Sequence, residues 1–191
     1  MSVILDAGPS LNFLAVGQQS VLIKLAAALN AQLCAPERVA GEVLGKSRDR
    51  LFARTPVAAT WRKLTSSGRI VILNDDISPA PFAQAISRIS GAPAATRIRD
   101  KDSLGEILVL AHASVLAQAG EDVFVLIDDR DGRRRAEREV EHLRRTAASG
   151  SLTLWSTRQV LSRADPAWID GGLTWQTVYK QMLPFDDGLP R

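Results

Sequence analysis

Short apolar runs alternate with longer helical patterns along this sequence, and this alternation restricts the possible fold more than any other feature. A short apolar run followed by a turn residue and a segment with 3.6-residue spacing is the pattern of a strand and a crossover helix that leads to the next parallel strand. The predicted strands are 3–5, 32–35, 70–73, 123–127 and 152–155. We therefore predict an α/β fold, a three-layer α/β/α sandwich with a central, mainly parallel sheet and a C-terminal helical extension.

The segments between the predicted strands contain helical patterns and turn residues. Gly8 and Pro9 are predicted to turn the first strand into a helix, and Pro36 is predicted to open the helix that carries Glu42. The other predicted helices are 10–16, 19–29, 82–89, 103–118 and 132–147. The segment 74–101 contains several prolines and only one helical pattern, so we expect it to be partly mobile.

Length, charge and cysteine content limit the number of domains, the kind of partner and the location of the protein. The chain has 191 residues with 46% hydrophobic content, which suits one domain with a buried core. A net charge of +3 permits a polyanionic partner without requiring one. The lone Cys34 excludes an internal disulfide. The first residues do not resemble a signal peptide, and no apolar run approaches the roughly 18 residues of a membrane span. We expect a cytoplasmic protein.

Acidic residues stand at positions that are otherwise apolar. Asp6 and the pair Asp128 and Asp129 directly follow predicted strands, whereas Glu42 and Glu106 lie on predicted helices. Ligands of open α/β sheets bind at the carboxyl ends of the strands, so we expect these side chains to converge there. No Lys or Arg that looks buried alternates with them, and a buried carboxylate needs a cation or a metal as its partner. We therefore predict one Mg²⁺ or Mn²⁺ site acting on a phosphodiester.

Structural interpretations of the same acidic residues stay open. Asp128 and Asp129 also fit a polar turn, and Glu106 also fits a solvated helix edge. Asp102 is either the N-cap of the helix that carries Glu106 or a second carboxylate on the same side of that helix.

Two further pairs of polar residues are predicted to have no direct role in a functional site. Asp75 and Asp76 follow an apolar run, but the Ser-Pro sequence after them favours a polar turn. His112 is predicted to lie in the core and His142 on the surface, since neither has a second ligand at metal-binding spacing.

Three consecutive arginines, Arg133, Arg134 and Arg135, stand near the start of the helix that follows Asp129. The helix dipole disfavours cations at this end, so another interaction has to compensate them. They could contact substrate phosphates or the carboxylates of an inhibitor. The alternative is ion pairing with glutamates of the same helix, namely Glu137, Glu139 and Glu141.

Four segments follow one another in the sequence: Leu5-Asp6-Ala7-Gly8-Pro9-Ser10, Glu42 on its helix, Asp102-Ser103-Leu104-Gly105-Glu106, and Leu126-Ile127-Asp128-Asp129-Arg130 with Arg134 and Ala136. Together they resemble PIN domains, a family of Mg²⁺-dependent ribonucleases of α/β/α fold that includes many toxins of bacterial toxin-antitoxin pairs. The last two segments are similar to a bacterial branch of predicted nucleic-acid-binding PIN proteins. The resemblance implies a metal-dependent endoribonuclease that acts on RNA, with a possible cognate antitoxin.

The resemblance also implies roles for individual residues. Asp6, Glu42, Glu106 and Asp129 would be the catalytic and metal-binding quartet, with Asp128 as an accessory ligand. Arg130, Arg133 and Arg134 would bind substrate. Many relatives carry Ser or Thr where this chain has Gly8, so a hydroxyl or amide contribution to substrate binding would come from Ser10 or Asn12.

The resemblance covers about residues 1–150, which we predict as the nuclease domain. Residues 151–191 are predicted to form a strand and helical extension that packs on the same domain. This extension is rich in aromatic residues: Trp155, Trp168, Trp175, Tyr179 and Phe185. Aromatic residues are enriched at interfaces, and we expect a homodimer.

Two other classes of protein compete with the ribonuclease interpretation. A receiver domain or a toprim-like nuclease shares carboxylates at strand ends, but a receiver has its acidic pair after the first strand and here the pair comes late. A catalytically silent PIN-like module that binds RNA or protein would keep the fold, but it gains nothing from uncompensated carboxylates.

Overall fold

The computed structural model describes residues 1–186 and 189, and its centre is a single five-stranded sheet. The strands are β1 (Ser2–Leu5), β2 (Gln32–Pro36), β3 (Ile70–Leu73), β4 (Asp122–Leu126) and β5 (Ser151–Trp155). Every pairing is parallel, in the order β3-β2-β1-β4-β5. The predicted α/β sandwich is confirmed, and its sheet is wholly parallel.

Helices flank this sheet. They are α1 (Ala7–Ala15), α2 (Gln19–Ala28), α3 (Glu37–Lys46), α4 (Val57–Ser66), α5 (Ala80–Ser90), α6 (Ala94–Arg97), α7 (Leu104–Gln118), α8 (Arg130–Arg145), α9 (Thr157–Arg163) and α10 (Trp175–Met182). Within the described part of the chain, no single helix has the length and apolar character needed to cross a membrane. Helices α1 and α2 have this length and apolar character when they are taken together, but they are bent by 119° relative to each other.

The hydrophobic core lies on both faces of the sheet. Val3, Ile4 and Leu5 are all fully buried although successive strand residues point to opposite faces, so β1 is covered on both sides. Helix α7 contacts four of the five strands, and α5 and α8 pack against α7. This placement explains why α7 is apolar almost all round.

Two helix boundaries differ from the sequence predictions in ways that affect the acidic residues. Helix α1 begins at Ala7, immediately after β1, and not after a Gly8-Pro9 turn, because a proline is tolerated in the first turn of a helix. Helix α8 begins at Arg130, and Asp129 is its N-cap. Both Asp6 and Asp129 therefore stand at the start of a helix.

The segment 74–101 contains more regular structure than the sequence pattern indicated. Helices α5 and α6 contact each other, and α5 packs on α7. Their buried residues form a second, smaller hydrophobic cluster with α7 that includes Phe82, Ile86 and Ile107. Gly91, in the left-handed region at φ 73°, ends α5.

The C-terminal segment packs on the rest of the molecule. Strand β5 is an edge strand of the same sheet, and Trp155 lies against Phe124 of β4 with ring centroids 4.8 Å apart. Helix α10 contacts α9 and α1. A 3₁₀ turn, Leu183–Phe185, continues from α10, and the ring of Phe185 stacks on Phe52 at 5.5 Å.

Candidate acidic site at the carboxyl edge of the sheet

The strand order places a topological switch point between β1 and β4. The chain leaves β1 towards β2 and β3 on one side, whereas β4 and β5 lie on the other. In open α/β sheets this is where a crevice forms beyond the carboxyl ends of the strands. Leu5 is in register with Leu126, and the N–H of Asp6 donates to the Leu126 carbonyl at 3.1 Å. Asp6 and Asp128 therefore reach the same edge of the sheet from neighbouring strands.

A cavity of about 540 Å³ opens at this edge, and its lining is dominated by carboxylates. The acidic side chains that line it are Asp6, Glu42, Asp102, Glu106, Asp128, Asp129 and Asp186. Among the described residues, two cationic side chains, Arg38 and Lys46, line the same cavity. The structure thus brings together all five acidic residues selected from the sequence, with Asp102, for which the sequence left two interpretations open, and with Asp186.

Asp6 lies at the bottom of this acidic site. The residue is 8% exposed, and burial raises the pKa of its carboxyl to about 7. The N–H of Ala7 and the charge of Lys46 lower the pKa, whereas Glu42 and Asp128 raise it. Since burial is the largest cause, the charged form of Asp6 is less stable in the folded chain than in water.

Glu106 enters the cavity from the first turn of α7. Burial raises the pKa of its carboxyl to about 7, and repulsion by Asp129 and Asp6 adds to the increase. Arg135 of α8 acts in the opposite direction, with its Nη1 3.0 Å from Glu106 Oε2. Glu106, in the first turn of α7, therefore lies near the negative charge of Asp6 at the start of α1.

Glu42 enters from α3 and has a cationic partner on the same helix. Its Oε1 accepts a hydrogen bond from Arg38 Nε at 2.7 Å, one helical turn away. Together with the pair formed by Arg135 and Glu106, this contact corrects the expectation that no arginine would compensate these carboxylates. The arginines come from positions that look solvent-exposed in the sequence, and only the tertiary fold turns them towards the site.

The two carboxylates after β4 have different environments. Asp128 is buried, and its two oxygens accept hydrogen bonds from the N–H (2.8 Å) and the hydroxyl (2.6 Å) of Thr157. Burial raises the pKa of Asp128 in spite of these bonds. Asp129 is exposed, and its Oδ1 accepts from the N–H groups of Asp131 and Gly132, at 2.8 Å each. Asp128 thus joins β4 to α9, and Asp129 caps α8 while facing the cavity.

The structure contradicts a direct substrate contact by Ser10 or Asn12. Both residues are fully buried. The Ser10 hydroxyl donates to the carbonyl of Asp6 at 2.7 Å, which is a bond within α1. Asn12 Nδ2 donates to Asp186 Oδ2 at 2.7 Å. Both side chains therefore contact acidic residues of the site and not the open cavity: Ser10 binds the main chain of Asp6, and Asn12 binds the carboxylate of Asp186.

The arginines of α8 divide into different roles. Arg133 Nη1 donates to the Ile127 carbonyl at 3.3 Å, and Arg134 pairs with Asp131 at 2.5 Å on the surface. Arg130 is exposed at the first position of the helix. The alternative of pairing with glutamates of the same helix is wrong for Arg133 to Arg135. The buried Glu139 instead pairs with Arg88 of α5, at 2.5 Å.

The structure also decides the roles of two other acidic residues, Asp102 and Asp75. Asp102 does not cap α7, because Ser103 occupies the N-cap position with φ 49°, and the exposed Asp102 lines the cavity instead. Asp75 does more than form a turn, since it accepts from the N–H of Arg38 at 2.7 Å and lies 2.9 Å from His112 Nε2. His112, which was predicted to lie in the core, is partly buried beside it, with its ring 4.2 Å from that of Phe82.

Asp186 is the residue of the site that the sequence analysis missed. It follows the 3₁₀ turn after α10 and reaches the cavity beside Gly8. A usable signal was present, since Asp186 directly follows an apolar run, as Asp6 and Asp128 do. It lies in the predicted extension, outside the part of the chain that resembles PIN domains.

The donor set suits a hard divalent cation, although the side chains are not arranged around one. Every anionic group in the cavity is a carboxylate, and oxygen ligands are those that Mg²⁺ and Mn²⁺ prefer. Among residues 1–186 and 189, no three acidic, histidine or cysteine side chains are close enough to hold one metal ion together. Glu42 and Glu106 would have to turn from their arginine partners to join a shared ion.

Comparison with protein-family models, with curated proteins and with solved structures gave no match.

Proposed function

We propose that this protein is a metal-dependent endoribonuclease that hydrolyses RNA phosphodiester bonds with Mg²⁺ or Mn²⁺. The observation that carries the proposal is the convergence of Asp6, Glu42, Glu106 and Asp129 from distant parts of the chain on one cavity at the switch point of the sheet. Burial is the main cause of the raised pKa of Asp6 and of Glu106, and repulsion by neighbouring carboxylates, which a divalent cation would relieve, adds to it.

The residues of the site would have distinct roles. Asp6, Glu42, Glu106 and Asp129 would hold the cation, with Asp128 as an accessory carboxylate that positions the start of α9. A cation held there would supply an activated water and neutralise negative charge on the phosphate oxygens. The cavity contains enough carboxylate oxygens for this chemistry without a side-chain nucleophile.

Cationic side chains around the cavity would bind the phosphates of the substrate. Arg38 and Lys46 line the cavity itself, and Arg130 and Arg134 are exposed on the adjacent first turn of α8. Arg133 is partly used by the Ile127 carbonyl, so its contribution would be smaller. The resemblance to PIN domains supports RNA as the substrate. It also supports an antitoxin protein as a possible partner. The lone thiol of Cys34 supports a cytoplasmic location, and the aromatic residues of the C-terminal segment support a homodimer.

The second candidate is a catalytically silent module that binds RNA or protein. The observation that favours it is the pair of contacts Arg38 to Glu42 and Arg135 to Glu106, which partly neutralise two carboxylates without a metal. A site compensated in this way could keep its acidic residues for structural reasons.

The experiment that separates these candidates is cleavage of labelled single-stranded RNA by the purified protein, with and without Mn²⁺. We expect cutting only with the metal, and we expect EDTA, Asp6→Ala or Glu106→Ala to abolish it while RNA binding survives. Glu137→Ala is the matched control, since Glu137 is exposed on α8. Tight RNA binding without metal-dependent cleavage of any of several structured and unstructured RNAs would replace the ribonuclease with the silent module.

A further inference from the structure

Positive charge is concentrated where α3 ends and the chain turns towards α4. This segment, residues 46–54, contains Lys46, Arg48, Arg50 and Arg54, with Asp49 as its one acidic residue, and we call it the cationic rim. Arg48, Arg50 and Arg54 are exposed. Within the described part of the chain, none of these three guanidinium groups has an ion-pair or hydrogen-bond partner. All three are therefore available to bind an anion.

Two contacts fix the cationic rim to the wall of the acidic cavity. Lys46 lines the cavity, and its positive charge opposes the rise in pKa that burial causes at Asp6. The ring of Phe52 stacks on that of Phe185 at 5.5 Å, and the next residue, Asp186, lines the cavity as well. The three arginines therefore lie on a segment that borders the cavity.

A second group of cations borders the cavity from the direction of α8. Arg130 and Arg134 are exposed in the first turn of this helix, directly after Asp129. Strand β1, which ends just before Asp6, lies between β2, which leads into α3, and β4, which leads into α8. The acidic site thus has cationic side chains on both sides, contributed by the end of α3 and by the start of α8.

This arrangement suits a linear polyanion. The carboxylates of the cavity repel a compact anion that enters alone, whereas a single strand of nucleic acid carries one phosphate for each nucleotide. Such a strand can place phosphates on both cationic groups while only its middle lies over the cavity. Proteins that bind single strands follow the backbone with cationic side chains in the same way.

We propose that Arg48, Arg50 and Arg54 bind phosphates of single-stranded RNA, so that the strand crosses the acidic cavity from the start of α8 to the cationic rim. This inference rests on the proposed function for RNA as the substrate. It extends the substrate-binding surface from α8 to the other side of the cavity.

The test replaces Arg48, Arg50 and Arg54 together with alanine and measures the binding of labelled single-stranded RNA by fluorescence anisotropy in EDTA, where no cleavage occurs. We expect the Kd to rise and the slope of log K against log salt to become shallower by roughly 2.1, which is about 0.7 for each arginine. The Tm should not change, because the three side chains are exposed and unpaired. If the triple variant is less stable, the single variants Arg48→Gln, Arg50→Gln and Arg54→Gln should each lose about 0.7 of the slope.

The matched control replaces Arg62, Lys63 and Arg69 with alanine. It lowers the net charge from +3 to 0 (3 − 3), as the rim variant does. All three residues are exposed, and Lys63 and Arg69 line a different cavity, beside α2. The control should therefore keep the salt dependence of the unmodified chain.

The outcomes separate this inference from the proposed function. A rim variant with the salt dependence of the control would overturn the role of the rim, and the ribonuclease would stand if the unmodified chain cuts RNA with Mn²⁺. A reduced slope in the rim variant of a chain that cuts no RNA would support the rim and overturn the ribonuclease. An unmodified chain that binds no RNA would overturn both, and its binding to phosphatidylserine vesicles would assign the arginines to a membrane surface instead.

Discussion

The main chain at Gly105 lies directly against the carboxylate of Glu42, so that a Cβ atom at position 105 would be only 2.8 Å from Glu42 Oε2. This approach joins the first turn of α7 to the middle of α3. It accounts for the glycine next to Glu106, in a helix where every residue type except proline would be favoured over glycine. The position of Glu42 in the site therefore depends on the absence of a side chain on another helix.

We predict that Gly105→Ala displaces the Glu42 carboxylate and breaks its contact with Arg38. Because the displaced group is the far end of a flexible side chain, and alanine is favoured over glycine in helices by about 1 kcal/mol, the free energy of unfolding should change little. Mn²⁺ affinity, measured by titration calorimetry, should fall by about tenfold.

The control for this prediction is Gly45→Ala on α3, where an added Cβ meets no atom within 4 Å. This variant should keep its Mn²⁺ affinity. Equal affinities of the two variants would show that the contact between Gly105 and Glu42 does not control the site.

The fold could be predicted because its strands leave a strong local pattern. The run at 123–127 is apolar on both faces, which only a covered parallel strand requires. Helix α4 has no counterpart among the sequence predictions, because its buried stripe is only Val57, Trp61 and Leu64. Helix α6 has four residues, which is too short to show the 3.6-residue spacing of apolar residues that predicts a helix.

The acidic site was predictable only where a carboxylate follows a strand or interrupts an apolar helix. Its cationic partners were not, because Arg38 and Arg135 lie on amphipathic helices whose polar residues all look solvent-exposed in the sequence. The opposite error occurred at Ser10, where a polar residue near Asp6 was expected to face substrate. Ser10 is buried instead, because a hydroxyl within a helix can donate its hydrogen bond to the carbonyl four residues earlier.

The metal-free protein should lose stability as the pH rises from about 4.5 to about 8. Asp6 and Glu106 have pKa values of about 7 in the folded chain, against ordinary values of 3.8 and 4.5. Between these limits the folded state binds protons that the unfolded state has released, so the free energy of unfolding decreases with pH and the decrease ends above the folded pKa. Urea unfolding in EDTA at several pH values measures this slope.

The Asp6→Asn variant tests the assignment of that slope. Asparagine removes one of the two titrations, so the variant should show a shallower pH dependence and a higher stability at pH 8 than the unmodified chain. A slope equal to that of the unmodified protein would mean that other groups cause the pH dependence.

Arg88→Ala should strongly destabilise the fold without involving the acidic site. The side chain of Glu139 is 3% exposed and depends on Arg88 and on the hydroxyl of Ser114. Removing one partner of a buried ion pair leaves an uncompensated charge, which costs about 3–5 kcal/mol. The free energy of urea unfolding measures the loss.

An exposed ion pair provides the comparison for Arg88. Arg134 and Asp131 are both more than 60% exposed, and such pairs contribute about 0–1 kcal/mol. Arg134→Ala should therefore unfold almost like the unmodified protein. A loss in Arg88→Ala as small as in Arg134→Ala would contradict a structural role for the buried pair.

Replacing Arg130 and Arg134 together with alanine should weaken RNA binding and reduce its dependence on salt. Each phosphate contact to single-stranded RNA releases counterions, so losing two contacts should make the slope of log K against log salt shallower by roughly 1.4. Fluorescence anisotropy with labelled RNA in EDTA measures this without cleavage. Arg62→Ala, exposed on α4, is the control and should keep the slope. A double variant with the salt dependence of the control would show that RNA does not cross the start of α8.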